Sequence, residues 1–136
     1  MAAISSYRDL EVWQKAMELV EAVYRLTEDL PDTERYGLKS QLQRSAVSIP
    51  SNIAEGYGRG STKEYARFAS IARGSLMELE TQFALVVRLN LIDRDAVLPL
   101  WEVAQSVGKM LTALRRSLDR RLSSTKPQAP SPKPAS

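Results

Sequence analysis

The sequence predicts an all-α fold: an up-down antiparallel four-helix bundle followed by a disordered, proline-rich C-terminal tail. Three observations carry this. Apolar residues recur at three- and four-residue spacing over four long stretches, the mark of one-sided helices. No stretch sustains the apolar–polar alternation of a strand. Pro31, Gly56, Gly58, Gly60 and Pro99 fall near the joints, and four of the seven prolines lie after Lys126. Short joints between long helices make antiparallel neighbours. The bundle is expected over residues 7–122, with a flexible lead at 1–6 and the tail at 123–136.

The first helix is expected from Tyr7 to Leu30. Leu10, Trp13, Met17, Val20 and Tyr24 form one stripe, and Ala16, Leu19, Val23, Leu26 and Leu30 form a second beside it. Together they cover an arc of roughly 200°, against the roughly 100° that a helix facing one core requires. The excess predicts two buried faces, one inside the subunit and one against a partner. Trp13, Ala16, Leu19, Val23 and Leu26 are the candidate oligomer-interface residues.

The second helix begins near Asp32 or Thr33, after the Leu30-Pro31 stop, and faces inward with Leu38, Leu42, Ala46, Ile49 and Ile53. Pro50 lacks an N–H and crowds the carbonyl four residues back. This predicts a kink or break near Ala46 to Pro50, with Ser48 and Ser51 free to restart the helix as caps. The loop Gly56-Tyr57-Gly58-Arg59-Gly60 ends it. Ser61 to Glu64 then reads as a capping box.

The third helix reaches about Asn90 on a stripe of Tyr65, Phe68, Ala72, Leu76, Leu79, Phe83 and Val86. Gly74 inside it predicts a close helix–helix approach, since glycine there costs about 1 kcal/mol against alanine. The fourth starts after Asp93 or Asp95. Its stripe runs from Leu100 through Ala104, Val107, Leu111, Leu114 and Leu118 to Leu122, and Pro99 predicts an irregular first turn or a start near Leu98. The residues from Ser123 onward are Ser, Thr, Lys, Gln, Ala and Pro, with too little apolar area to offset the entropy of ordering. Pro127-x-x-Pro130 within them could present a polyproline helix or form part of a plain disordered terminus.

At 136 residues the chain fits one domain, and its 43% hydrophobic, 26% charged composition is that of a soluble globular protein. Two zeros narrow the chemistry further. With no cysteine and no histidine, disulfides, thiol nucleophiles, Cys/His zinc sites, serine–histidine triads and Glu-x-x-His di-iron sites are excluded. No carboxylates stand at a spacing that suits a metal or acid–base pair, so no metal, no cofactor and no enzymatic activity are expected. Glu55, after Ile53-Ala54, reads as a buried carboxylate bonded to a nearby arginine. Neither a leader-like opening nor an apolar run near the 18–20 residues of a membrane span is present, which predicts a cytoplasmic protein with no membrane partner.

Charge is uneven along the chain. Residues 1–60 carry a net of −2 and residues 61–136 a net of +5, matching the overall +3. The excess gathers late, at Lys109, Arg115, Arg116, Arg120, Arg121, Lys126 and Lys133 against Asp119 alone. One reading is a solvated helix end whose cations offset the helix dipole. The other is a phosphate-contacting patch, which a ring of subunits would repeat into a strong field. Arg59 lies in the glycine loop, whose spacing matches neither common phosphate-binding glycine motif. Arg44, Arg67, Arg73 and Arg88 could add to the patch or be ordinary surface arginines. Trp13 and Trp101 sit on apolar stripes and read as core. Tyr57, expected in an exposed loop, is the one aromatic suited to stacking on a base.

Several segments resemble a bacterial family called simply four-helix-bundle proteins, also known as proteins of the intervening sequences in large-subunit ribosomal RNA genes. They are Tyr7-Arg8-Asp9-Leu10-Glu11-Val12-Trp13, the run from Gln41 to Gly56 with its Ser-Ile-Pro-Ser-Asn-Ile-Ala-Glu-Gly core, and Ala72 to Glu80. The resemblance spans residues 7–122. It implies a homopentameric ring and no enzymatic activity. A related branch, the accessory variability determinant of diversity-generating retroelements, binds a reverse transcriptase and presents a basic surface to nucleic acid. The expected function is therefore a homo-oligomer, a pentamer by resemblance. It binds structured RNA or DNA electrostatically through Arg115, Arg116, Arg120, Arg121, Lys109 and Arg59, as an accessory to a reverse transcriptase or other partner. The alternative is a protein-interaction scaffold with no nucleic-acid role.

Overall fold

The computed structural model describes residues 4–125, and the proline-rich segment expected to be disordered lies outside them. Four helices account for the architecture: α1 (Glu11–Thr27), α2 (Leu38–Gly58), α3 (Thr62–Arg88) and α4 (Arg94–Thr125). They stand in a square. Each packs on its two neighbours, α2 against α3 most extensively, and the backbones of the diagonal pairs stay apart. The centre is filled by the predicted inward stripes, including Leu19, Leu42, Ile49, Ile53, Leu79, Phe83, Val107 and Leu111, all at most 1% exposed.

The boundaries differ from the periodic reading wherever a local turn captures the chain. Tyr7–Asp9 is a separate 3₁₀ turn rather than the start of the first helix. Ser6 Oγ accepts from the Arg8 amide, and Asp9 Oδ2 accepts from the Ser5 and Ser6 amides. Those bonds hold Asp9 below the usual carboxylate range, the Ser5 backbone bond most of all. The lead is therefore tied down from Ser5 on, and an extended Leu10 separates the turn from α1. The second helix does not start at Asp32 or Thr33. Asp32–Glu34 forms another 3₁₀ turn, and Glu34 Oε1 accepts from the Leu38 amide to start α2.

Pro50 does not break α2, which is helical from Leu38 to Gly58. The proline nitrogen cannot donate to the Ala46 carbonyl. The next two residues bind the helix from their side chains instead: Ser51 Oγ donates to the Val47 carbonyl at 2.8 Å, and Asn52 Nδ2 to the Ser48 carbonyl at 2.7 Å. Neither Ser48 nor Ser51 acts as a restarting cap. The glycine loop is shorter than expected, because Gly56, Tyr57 and Gly58 are helical and only Gly60, at φ +75°, takes the left-handed turn. Ser61 caps α3 through the Glu64 amide at 3.2 Å, while the Glu64 carboxylate turns to Arg67, so half of the capping box forms.

Gly74 is not a point of close approach; it faces open space. The close approach is at Gly56, where a Cβ would stand 2.6 Å from the Phe68 Cβ. Asn90, at φ 57°, closes α3, with the Leu91 amide reaching back to the Val86 carbonyl at 2.9 Å. The fourth helix is regular from Arg94, with Pro99 inside it, and continues through Ser123 to Thr125, residues expected to belong to the tail.

The two stripes of α1 separate. Ala16, Leu19 and Val23 are 0% exposed and Leu26 6% within one chain, so these four candidate interface residues are bundle core. Two faces of one helix cannot both meet the same square, so the other stripe stays at the rim. Trp13 there is half-buried, edge-on to Tyr7 at 5.3 Å. With Met17, Val20, Val47, Pro50 and Ala54 it lines an apolar groove of about 400 Å³ between α1 and α2.

Candidate nucleic-acid interface

The basic residues gather on the α3–α4 side and at the end where α2 meets α3. The Arg115 guanidinium donates to the Ala66 carbonyl at 3.2 Å, which sets the late turns of α4 beside the start of α3. Its Nε donates to Asp119 Oδ1 at 3.1 Å. Arg115 thus has two of its five donors engaged, one of them across to α3. Arg59 pairs with Glu55 at 2.8 Å and lies 5.0 Å from the centre of the Phe68 ring. Glu55 has the expected arginine partner but is exposed, not buried. Arg67 sits 5.4 Å from the same ring. Two cations on one ring hold this corner through its quadrupole.

Further along, Arg73 and Met77 from α3 and Lys109 and Arg116 from α4 line an open groove of about 450 Å³. Neither Arg73, Lys109, Arg116 nor Arg120 has an ion-pair partner among the described residues. Arg116 and Arg120 are four apart and share a helix face, as expected. Glu80 is the one acidic residue in the groove lining. Burial raises its pKa, opposed by the Gln105 amide donating to Oε1 at 3.3 Å. At Gly108 a Cβ would stand 3.3 Å from Leu76, so a small residue keeps α4 close to α3 beneath the groove.

Arg121 lies nearer the corner, where its charge partly offsets the rise that burial, then Tyr57, impose on the Tyr65 hydroxyl pKa. Tyr57 is not on a loop. It is half-buried in α2, edge-on to Tyr65 at 5.9 Å, with its ring taken up by packing. Trp101, expected in the core, is 37% exposed beside Phe83, Val87 and Leu98, with Arg88 and Arg94 at the rim.

The structure therefore divides the six predicted contacts. Lys109, Arg116 and Arg120 form one unpaired line, joined by Arg73. Arg115 and Arg59 are engaged, and Arg121 flanks the corner. Among the described residues no group of three metal-ligating side chains occurs, and no helix is long and apolar enough to cross a membrane.

The fold and groove define a small all-α bundle with a basic side. Residues 8–113 match the family model described as 23S rRNA-intervening sequence protein, and the chain belongs to that family. Among solved structures it is similar to a crystal structure of a protein of unknown function from the S23 ribosomal protein family of Bacteroides thetaiotaomicron. The two are 24% identical, the match covers 85% of this chain and 99% of that one, and the TM-score is 0.57. No curated protein matches.

Proposed function

We propose that this chain is a non-enzymatic, homo-oligomeric helical bundle that holds structured RNA or DNA by its phosphates. The observation that carries this reading is the set of unpaired cations Arg73, Lys109 and Arg116 lining one groove, with Arg120 a turn beyond Arg116 on the same helix face. Cations without internal partners are free to displace the counterions of a polyanion, and a groove between helices holds them in a row. The family description, which ties its members to sequences intervening in a ribosomal RNA, agrees with an RNA partner. Among the described residues no base-reading motif occurs, so the contact is with backbone rather than sequence.

The test is a titration of labelled structured RNA and duplex DNA across a salt series. Several contacts per duplex would give a log–log slope of several units, at about 0.9 per phosphate. Replacing Arg73, Lys109, Arg116 and Arg120 by Gln together should lower both affinity and slope for every sequence alike. Unchanged binding by that variant would falsify the groove assignment. The α1–α2 groove favours self-association as the second part of the reading, because Trp13, Met17 and Val20 present apolar surface that the subunit itself leaves half-covered.

A further inference from the structure

The rim stripe of α1 has a counterpart on the opposite side of the square. There Val87 of α3 and Leu98 and Trp101 of α4 line an apolar groove of about 290 Å³. Leu98 is 42% exposed, and Trp101 is nearly as open. Arg88, the last residue of α3, and Arg94, the first of α4, share the lining, which holds no carboxylate. Neither arginine has an ion-pair partner among the described residues.

The rim stripe of α1 is flanked by the opposite charge. Glu21 follows Val20, and Glu28 lies one turn beyond Tyr24. Neither glutamate has a cationic partner among the described residues. Tyr24, at 45%, is the most exposed member of the stripe. The heights agree as well. In an up-down bundle α1 and α3 run the same way, so Glu21 and Glu28, at the close of α1, stand at the same end as Arg88 and Arg94.

Resting on the homo-oligomeric reading of this chain, we propose that the α3–α4 groove docks on the rim stripe of α1 in a second copy. Leu98 and Trp101 meet the partner subunit's Val20 and Tyr24, and Arg88 and Arg94 meet the partner subunit's Glu21 and Glu28. Each face is a poor match for itself. Groove on groove would set arginine against arginine, and stripe on stripe glutamate against glutamate. Unlike faces on opposite sides of one subunit make a head-to-tail contact, which closes into a ring when the rotation allows. The apolar residues supply the contact area, and the charges beside them fix its register.

The test is light scattering on the full chain and on variants, with circular dichroism to follow folding. All six altered side chains are exposed within one chain, so each variant should keep the helical content of wild type. Arg88→Glu with Arg94→Glu should weaken association by about tenfold or more, and so should Glu21→Arg with Glu28→Arg. All four changes in one chain put opposite charges back across the contact and should restore the wild-type mass. Leu98→Glu with Trp101→Glu should give a folded monomer. An assembled wild type whose mass survives that last pair overturns the contact and leaves the oligomer standing. A folded four-fold variant that stays dissociated does the same. A wild type that is itself monomeric overturns the oligomer and this contact together.

Discussion

Arg115 illustrates what a charge does once its neighbours are known. Its bond to the Ala66 carbonyl crosses between helices, whereas its pairing with Asp119 is surface-exposed and adds little. Arg115→Ala should therefore cost about 1 kcal/mol, mostly from the carbonyl bond, and lower Tm by about 4 °C in thermal denaturation. Arg116→Ala should leave Tm unchanged and weaken RNA binding. In the sequence the two are adjacent and identical, and nothing in composition separates a guanidinium that fastens helices from one that faces solvent. Trp101 was opaque for a related reason: its stripe position fits a core, but the stripe does not say where the neighbouring helix ends. Glu80 adds a pH effect. Its pKa is raised in the fold, so its neutral form is favoured there. Its stabilising contribution is full below the unfolded value and is lost as pH rises through the higher folded value. Glu80→Gln should be more stable than wild type at neutral pH, and denaturation curves should converge below about pH 4.

At the scale of elements, the glycines give the sharpest contrast. Gly56→Ala drives a Cβ to 2.6 Å from the Phe68 Cβ, atoms that cannot swing away, and should destabilise by about 1–3 kcal/mol. Gly74→Ala meets nothing within 4 Å and should stabilise by about 0.4–1 kcal/mol through the unfolded chain. Urea denaturation of the two variants checks both signs. The sequence pointed to Gly74 because it lies within a periodic helix, and dismissed Gly56 as loop. A helix's own period shows which residues share a face, but not which residue of another helix stands opposite. Pro50 follows the same logic. The helix runs unbroken through it, and the side chains of Ser51 and Asn52, whose choice between capping a new helix and bonding the old one depends on tertiary context, bond the old one. Helix number, helix order and the inward stripes were legible because they depend only on spacing along one element.

For the whole molecule, the square arrangement turns a difference between chain halves into one between sides. Helices α1 and α2 carry no net charge between them, the acidic excess of the first half lying in its turns, whereas α3 and α4 together carry a net of +4. Light scattering should find an assembly well above the 15.2 kDa of one chain. Placing charges in the apolar α1–α2 groove, with Met17→Glu and Val20→Glu, should return it to monomer. A wild-type monomer at micromolar concentration would remove the oligomer, and an unchanged mass for the variant would remove the groove from its interface. The inward half of α1's wide arc could not be told from the outward half by sequence, because both are apolar and the angle alone does not orient the helix. The unequal helix lengths carry one more consequence. At about 1.5 Å per residue, α4 spans about 48 Å and α1 about 26 Å. Arg115 bonds the Ala66 carbonyl and Arg121 acts on the Tyr65 hydroxyl, so the last turn of α4 stands like a peg at the end of the bundle where α3 begins. Rotation about a single axis never turns a subunit over, so in any cyclic assembly every peg would stand on the same rim. Such an assembly would have a front and a back, and a polyanion would dock on one of them.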